Sequence, residues 1–226
     1  MWLCAMHGIP YELEFVMPGS RKGTRSKDYL ALCPAGYVPA VRFPDGAVLW
    51  ESNAILTYIC ERAGAKIPDT MWPRGGGPAN ALRRARIQAL LHWHHHGTRS
   101  VTLALFAPLA RPDIKQTPEG LKQARKTATR AIGLLEGLLD GHGGPFLLEG
   151  AAPTLADLCC MSDVGQCQDH LVGLFDFGPF PRVRAWMARM EALPGFDEAW
   201  DGLKTLLPFL AKRKAKAKAK AAAAKL

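Results

Sequence analysis

The sequence predicts a small α/β domain followed by an all-α domain. Three observations predict it: short period-two and hairpin patterns confined to the first third, a Pro/Gly-rich break, and helical patterns throughout the remainder. The chain has 226 residues, enough for one large or two small domains. Hydrophobic residues make up 48% and charged residues 22%, which supports a packed core and excludes wholesale disorder.

In chain order, Tyr11 to Met17 places Tyr11, Leu13 and Phe15 on one face, which predicts a strand. Gly19 to Ser26 reads as a polar, basic loop, and Lys27 to Leu32 as a short helix stopped by Cys33-Pro34-Ala35-Gly36. Val38 to Arg42 and Ala47 to Trp50 are short apolar runs. The turn Phe43-Pro44-Asp45-Gly46 between them predicts a β-hairpin, because Pro presets φ and Gly accepts the strained position. Ser52 is placed to cap a helix running to about Ala63 and ending at Gly64. Residues 65–79 break every period and read as a linker between domains at 1–64 and 80–210. The second domain is expected to contain helices over 80–105, 117–139, 154–170, 181–193 and 196–210. Thr154 and Asp157 have capping-box spacing in acidic form.

The tail, 211–226, is Lys/Ala low complexity without a core face; both residues are good helix formers and can extend the last helix, with a solvated, frayed tail as the default expectation. It carries seven basic residues and no acid; without it, the 29 basic and 20 acidic residues become 22 and 20. The net charge of +9 is therefore mostly the tail's, and a nucleic-acid-binding fold is not expected. No apolar run approaches the ~20 residues of a membrane helix. Met1 to Gly8 carries no basic leader, so no secretory signal is expected. None of the six cysteines forms a C-x-x-C pair, and reduced, mostly buried thiols are expected. His92, His95 and His96 share a helix face, but no Cys or acid completes a zinc set.

Several segments together carry a family resemblance. They are Gly8-Ile9-Pro10-Tyr11-Glu12-Leu13, Val38-Pro39-Ala40, and Asp45-Gly46 followed by Glu51-Ser52-Asn53-Ala54-Ile55-Leu56 and Tyr58. This region resembles the N-terminal domain of a cytosolic glutathione transferase. Leu91 to Arg99 resembles the fourth-helix segment of the theta class, Thr154 to Asp157 the family's capping box, and Phe180 to Trp186 its late helix. The resemblance covers residues 1 to about 210 and leaves the tail unexplained.

What the resemblance implies is a thioredoxin-like domain followed by a helical bundle. Glutathione would be the co-substrate, a small hydrophobic electrophile the second ligand, and no further cofactor or metal is implied. A homodimer and a cytoplasmic location are implied too. Val38 would exchange main-chain hydrogen bonds with the cysteinyl unit beside a cis Pro39. Ser52 would hold the γ-glutamyl carboxylate at a helix N-terminus and Glu51 would face its ammonium. Arg25 would meet the glycine carboxylate; Thr24 stands where the family often has His and carries no charge. Arg99 would point to the sulfur and the electrophile, flanked by Trp93 and His96.

The resemblance also implies a thiolate-stabilising Ser well upstream of the Gly-Ile-Pro turn, yet only seven residues precede Gly8. No catalytic residue is therefore assigned within this chain, and Cys4 lies too close to Gly8 to substitute. The first strand of the domain is expected to be missing, a truncated gene being the simplest account. Two other readings stand beside the enzyme. One is a non-catalytic scaffold module with the same fold. The other is a peroxisomal address through the terminal Ala224-Lys225-Leu226.

Overall fold

The computed structural model describes residues 1–111, 114–115 and 117–223, with the backbone alone for 217–223. The peroxisome-like terminus Ala224-Lys225-Leu226 lies outside the described residues.

The chain opens with a helix that its sequence pattern does not announce, α1 (Trp2–Met6). Its apolar residues Trp2 and Leu3 are buried, the Trp2 indole donates to the Pro194 carbonyl at 3.2 Å, and its ring meets Phe196 edge-on. The strand expected over Tyr11 to Met17 does not form. Among the described residues no strand lies alongside the segment; the sheet they form has two strands. Leu13, Phe15 and Met17 are 63%, 84% and 55% exposed. Period-two patterning makes a strand only when a neighbour supplies the ladder.

Helix α2 (Lys27–Leu32) starts at Ser26, whose hydroxyl accepts from the Tyr29 N–H. The hairpin forms as expected. Strands β1 (Ala40–Arg42) and β2 (Val48–Trp50) pair antiparallel with Val41 opposite Leu49. Gly46 takes φ 85° in the turn, and Asp45 accepts from the Ala47 N–H. Arg62 clamps the turn from the next helix by pairing with Asp45 and lying over the Phe43 ring.

Helix α3 (Ser52–Ala63) differs from expectation at its start. Ser52 is the first helical residue, not the cap; Glu51 occupies the cap position at φ 73°, and no side chain caps the helix. The following segment carries Ile67, Met71 and Trp72 into the core. Trp72 donates to Glu61 at 2.7 Å, and the Leu155 N–H donates to the Met71 carbonyl at 3.2 Å.

The single helix expected over 80–105 is broken. Helix α4 (Pro78–His94) stops before a turn at His95 to Gly97. Helix α5 (Thr98–Val101), a π turn over Thr102–Phe106 and α6 (Ala107–Ala110) follow. At Gly97 the chain passes so close to the Trp93 ring that a Cβ would lie 2.3 Å from it, so only glycine fits at the break.

Helix α7 (Pro118–His142) is capped by Thr117 and closed by left-handed Gly143. Helix α8 (Leu155–Val164) has the expected capping box, Thr154 with Asp157. It ends earlier than expected, giving way to a 3₁₀ turn over Gly165–Cys167. Helices α9 (Pro181–Glu191) and α10 (Phe196–Ala223) complete the fold.

Past Leu210 α10 continues to Ala223, the helical extension that Lys and Ala allow, and its root is anchored. Arg213 donates to the Ala110 carbonyl at 3.2 Å, and Lys214 to the carbonyls of Val172 and Gly173.

One core runs through the helical region, with Trp186, Ile132, Leu135 and Met161 fully buried. The α4, α5, α7, α8 and α9 helices meet around it. All six cysteines are free and buried, as expected for small hydrophobes. No described helix is long and apolar enough to cross a membrane.

Candidate functional site

The α3 N-terminus is the starting point. A helix leaves its first N–H groups without intrahelical partners, and those groups favour an anion. A side chain at the cap position can satisfy one of them; at α3, as at several other helices of this chain, none does. Glu51 is the one non-glycine residue with positive φ among the described residues. Such a conformation costs on the order of 1–3 kcal/mol and persists only where the surroundings enforce it. It turns the chain sharply from β2 into α3, leaving Glu51 exposed and Ser52 half-buried at the helix start.

The second component is the β1 edge. The Val38–Pro39 peptide bond is cis, matching the implied family geometry, and both residues are exposed. The loop before them is braced from α2 by the Tyr29 hydroxyl, which donates to the Tyr37 carbonyl at 2.7 Å. Arg25 lies over Gly36 in the same loop, its guanidinium at 2.9 Å from where a Gly36 Cβ would be. Thr24 beside it is fully buried and accepts from the Gly19 N–H at 2.9 Å, shaping the loop that presents Arg25.

The helical region supplies the facing wall. Asn53, one residue into α3, donates to the Leu91 carbonyl at 2.8 Å and lies 3.3 Å from His95 Nε2. Its carbonyl accepts from the Cys159 thiol at 3.4 Å. One side chain therefore ties the anion-accepting end of α3 to α4 and α8. The End of α4 is thereby held beside Glu51: burial lowers the His95 pKa, His94 adds to the lowering, and the Glu51 charge opposes it. Asn53 was legible as part of a motif, but its bridging role depends on residues 38 and 106 positions away.

The three residues implied for the electrophile side have different settings. His96 is exposed in the turn after α4. Trp93 is half-buried against the core, its ring pressed on the Gly97 backbone. Arg99 is half exposed and reaches back to Asp163, Nη1 to Oδ1 at 3.5 Å. Asp163 is itself 2% exposed and also takes His94, Thr98 and Thr102 as partners. Nothing in the sequence pattern singled out Asp163 or His94. A lone acid inside an apolar helical run, Cys159-Cys160-Met161-Ser162-Asp163-Val164, was the available signal.

Cys4 carries no sign of reactivity. It is buried in α1, and burial pushes its thiol pKa up. Among the described residues no three of His, Cys, Asp and Glu converge as a metal set.

A family model described as "Glutathione S-transferase, N-terminal domain" matches residues 1–62. Human glutathione S-transferase theta-2B is 31% identical over 209 residues, which span 90% of this chain and 80% of that protein. Glutathione S-transferase T2 of Arabidopsis thaliana is 29% identical over 210 residues. That match takes in 88% of this chain but only 34% of the plant protein, so the chain spans about a third of that relative. Among solved structures, human glutathione transferase theta-2, in complex with glutathione and an unknown ligand, superposes with a TM-score of 0.73. It is 27% identical and covers 94% of this chain and 84% of its own. Agreement of sequence and backbone across both the hairpin region and the helices leads to one conclusion: the chain belongs to the glutathione S-transferase family, among relatives that include its theta class.

Proposed function

We propose that this protein joins the thiol of glutathione to small hydrophobic electrophiles. The reading rests on one juxtaposition: the uncapped N-terminus of α3, with Glu51 and Ser52, is tied through Asn53 to the end of α4, just before Arg99.

Each end of the tripeptide has a complementary group. The γ-glutamyl carboxylate is received by the free N–H groups of α3 and the Ser52 hydroxyl, with the Glu51 carboxylate facing the ammonium. The cysteinyl unit exchanges main-chain hydrogen bonds with Val38 at the exposed edge beside Pro39. Arg25 meets the glycine carboxylate with a planar fork.

The chemistry is a displacement or an addition. The thiol gives its proton to solvent, and the thiolate sulfur forms a bond to the electrophilic carbon. With a chlorinated substrate the C–Cl bond breaks and chloride leaves; with an epoxide the C–O bond opens and the oxygen takes a proton. The positive charge of Arg99 favours thiolate over thiol and steadies the developing anion. Trp93 and His96 flank the electrophile. No other cofactor enters this scheme. We include in the proposal a homodimer as the working assembly, on family resemblance alone.

The test is turnover of a small epoxide or chlorinated alkane with glutathione by the native protein. Turnover that falls by about 10²-fold in Arg99→Ala supports the reading, because loss of one preorganised charge donor costs that much. Glutathione binding without turnover would identify a non-catalytic module instead.

A further inference from the structure

We propose that Asp163 is the positioning residue that holds Arg99 in its working place. The inference rests on the role given to Arg99 above.

A buried carboxylate is unfavourable unless donors surround it. Asp163, at 2% exposure, is surrounded on both oxygens. Oδ1 accepts from the Thr102 hydroxyl at 2.7 Å and lies 3.5 Å from Arg99 Nη1. Oδ2 accepts from the Thr98 hydroxyl at 3.1 Å and lies 2.8 Å from His94 Nε2. The Asp163 carbonyl accepts from Gln166, whose amide also donates to Thr102.

The four side chains on the carboxylate come from both sides of one discontinuity. His94 ends α4; Thr98 and Arg99 begin α5; Thr102 begins the π turn. Three of the partners are buried or half-buried, whereas the Arg99 side chain is 51% exposed. A long, half-exposed arginine otherwise samples many rotamers, and among the described residues its one ion pair is to this carboxylate. Tethering to a rigid, buried carboxylate preorganises the charge at the site.

The experiment is a double-mutant cycle on the native protein with glutathione and a small epoxide. Asp163→Asn keeps the volume but removes the charge and one acceptor. It is expected to lower kcat on the order of 10²-fold, since a displacement of about 1 Å costs that much. The glutathione Kd is expected to hold, because Val38, Glu51 and Ser52 lie on other elements. In an Arg99→Ala background the same change is expected to cost no more than about twofold. Equal losses in both backgrounds would overturn the inference, showing that Asp163 acts on the fold and not through Arg99. An unchanged kcat in Arg99→Ala alone would overturn the role given to Arg99, and this inference with it. If Asp163→Asn does not fold, the wild-type protein still decides: NMR of the Arg99 guanidinium should resolve separate Nη signals from hindered rotation. One averaged signal would mean that Arg99 is free and the tether absent.

Discussion

At the scale of single residues, buried acids carry the largest consequences. Asp157 is fully buried at the start of α8, where burial pushes its carboxyl pKa up and surrounding donors oppose the shift. Those donors are the Leu147 and Thr154 N–H groups, the Thr154 hydroxyl and the Trp186 indole. One carboxylate therefore closes the capping box, the loop before α8 and the packing of α9. Asp157→Ala strands all of these donors and is expected to cost on the order of 3–5 kcal/mol, read as a lower denaturant midpoint. The turn acid Asp45 is the opposite case. Its bond from Arg62 holds its carboxyl below the usual range. A depressed folded pKa adds stability above the unfolded value, and that stability disappears as pH falls through the folded value. Asp45→Asn should therefore lower stability slightly at neutral pH, leave it unchanged below the folded pKa, and so flatten the acid limb of the stability curve, read by chemical unfolding at several pH values. The motif spacing made Thr154 and Asp157 legible as a cap; that Asp157 also holds Trp186 was not, because 29 residues separate them.

At the scale of elements, glycines discriminate between packing and propensity. Gly97 permits the break after α4 because the Trp93 ring fills the space beside it. Gly97→Ala forces that ring or α5 to move, at an expected cost of about 1–3 kcal/mol and with loss of conjugating activity. Gly137 sits inside α7 with nothing within 4 Å of an added Cβ. Gly137→Ala should raise stability by about 0.5–1 kcal/mol, measured by thermal or chemical unfolding. Both glycines lie in helical patterns, and the sequence does not distinguish them; the neighbour across the gap does. The hairpin was legible because its turn chemistry is local. Tyr11 to Met17 has equally good alternation, but among the described residues no strand lies alongside it, so the same pattern leaves Leu13, Phe15 and Met17 exposed outside the sheet.

At the scale of the whole molecule, the hairpin region joins the helices through a shared core that takes in Cys60, Leu56 and Ile59 and through one polar side chain. Asn53 reaches α4 and α8 from the first turn of α3. Asn53→Ala is expected to cost about 1–3 kcal/mol and to weaken glutathione binding, measured by calorimetry, because the α3 N-terminus loses its anchor. The cysteines give a global readout of integrity. Burial pushes the Cys60, Cys159 and Cys167 thiols up to about 12. They should resist alkylation at pH 8 in the folded protein and react on unfolding, as mass spectrometry would show.

The sequence by itself determined the α/β-then-helical layout, the hairpin and its turn, the α8 cap, the buried thiols and the family likeness. Each of these is encoded within a few residues or in a motif of fixed spacing. Tertiary structure alone decided that no described strand lies alongside Tyr11 to Met17, that the long helix breaks at Gly97, and that Arg213 and Lys214 anchor α10 where it passes Leu210. It also decided which acid meets Arg99. Local pattern specifies what a segment prefers; a ring, a carboxylate or an absent neighbour from elsewhere in the chain determines whether that preference is realised.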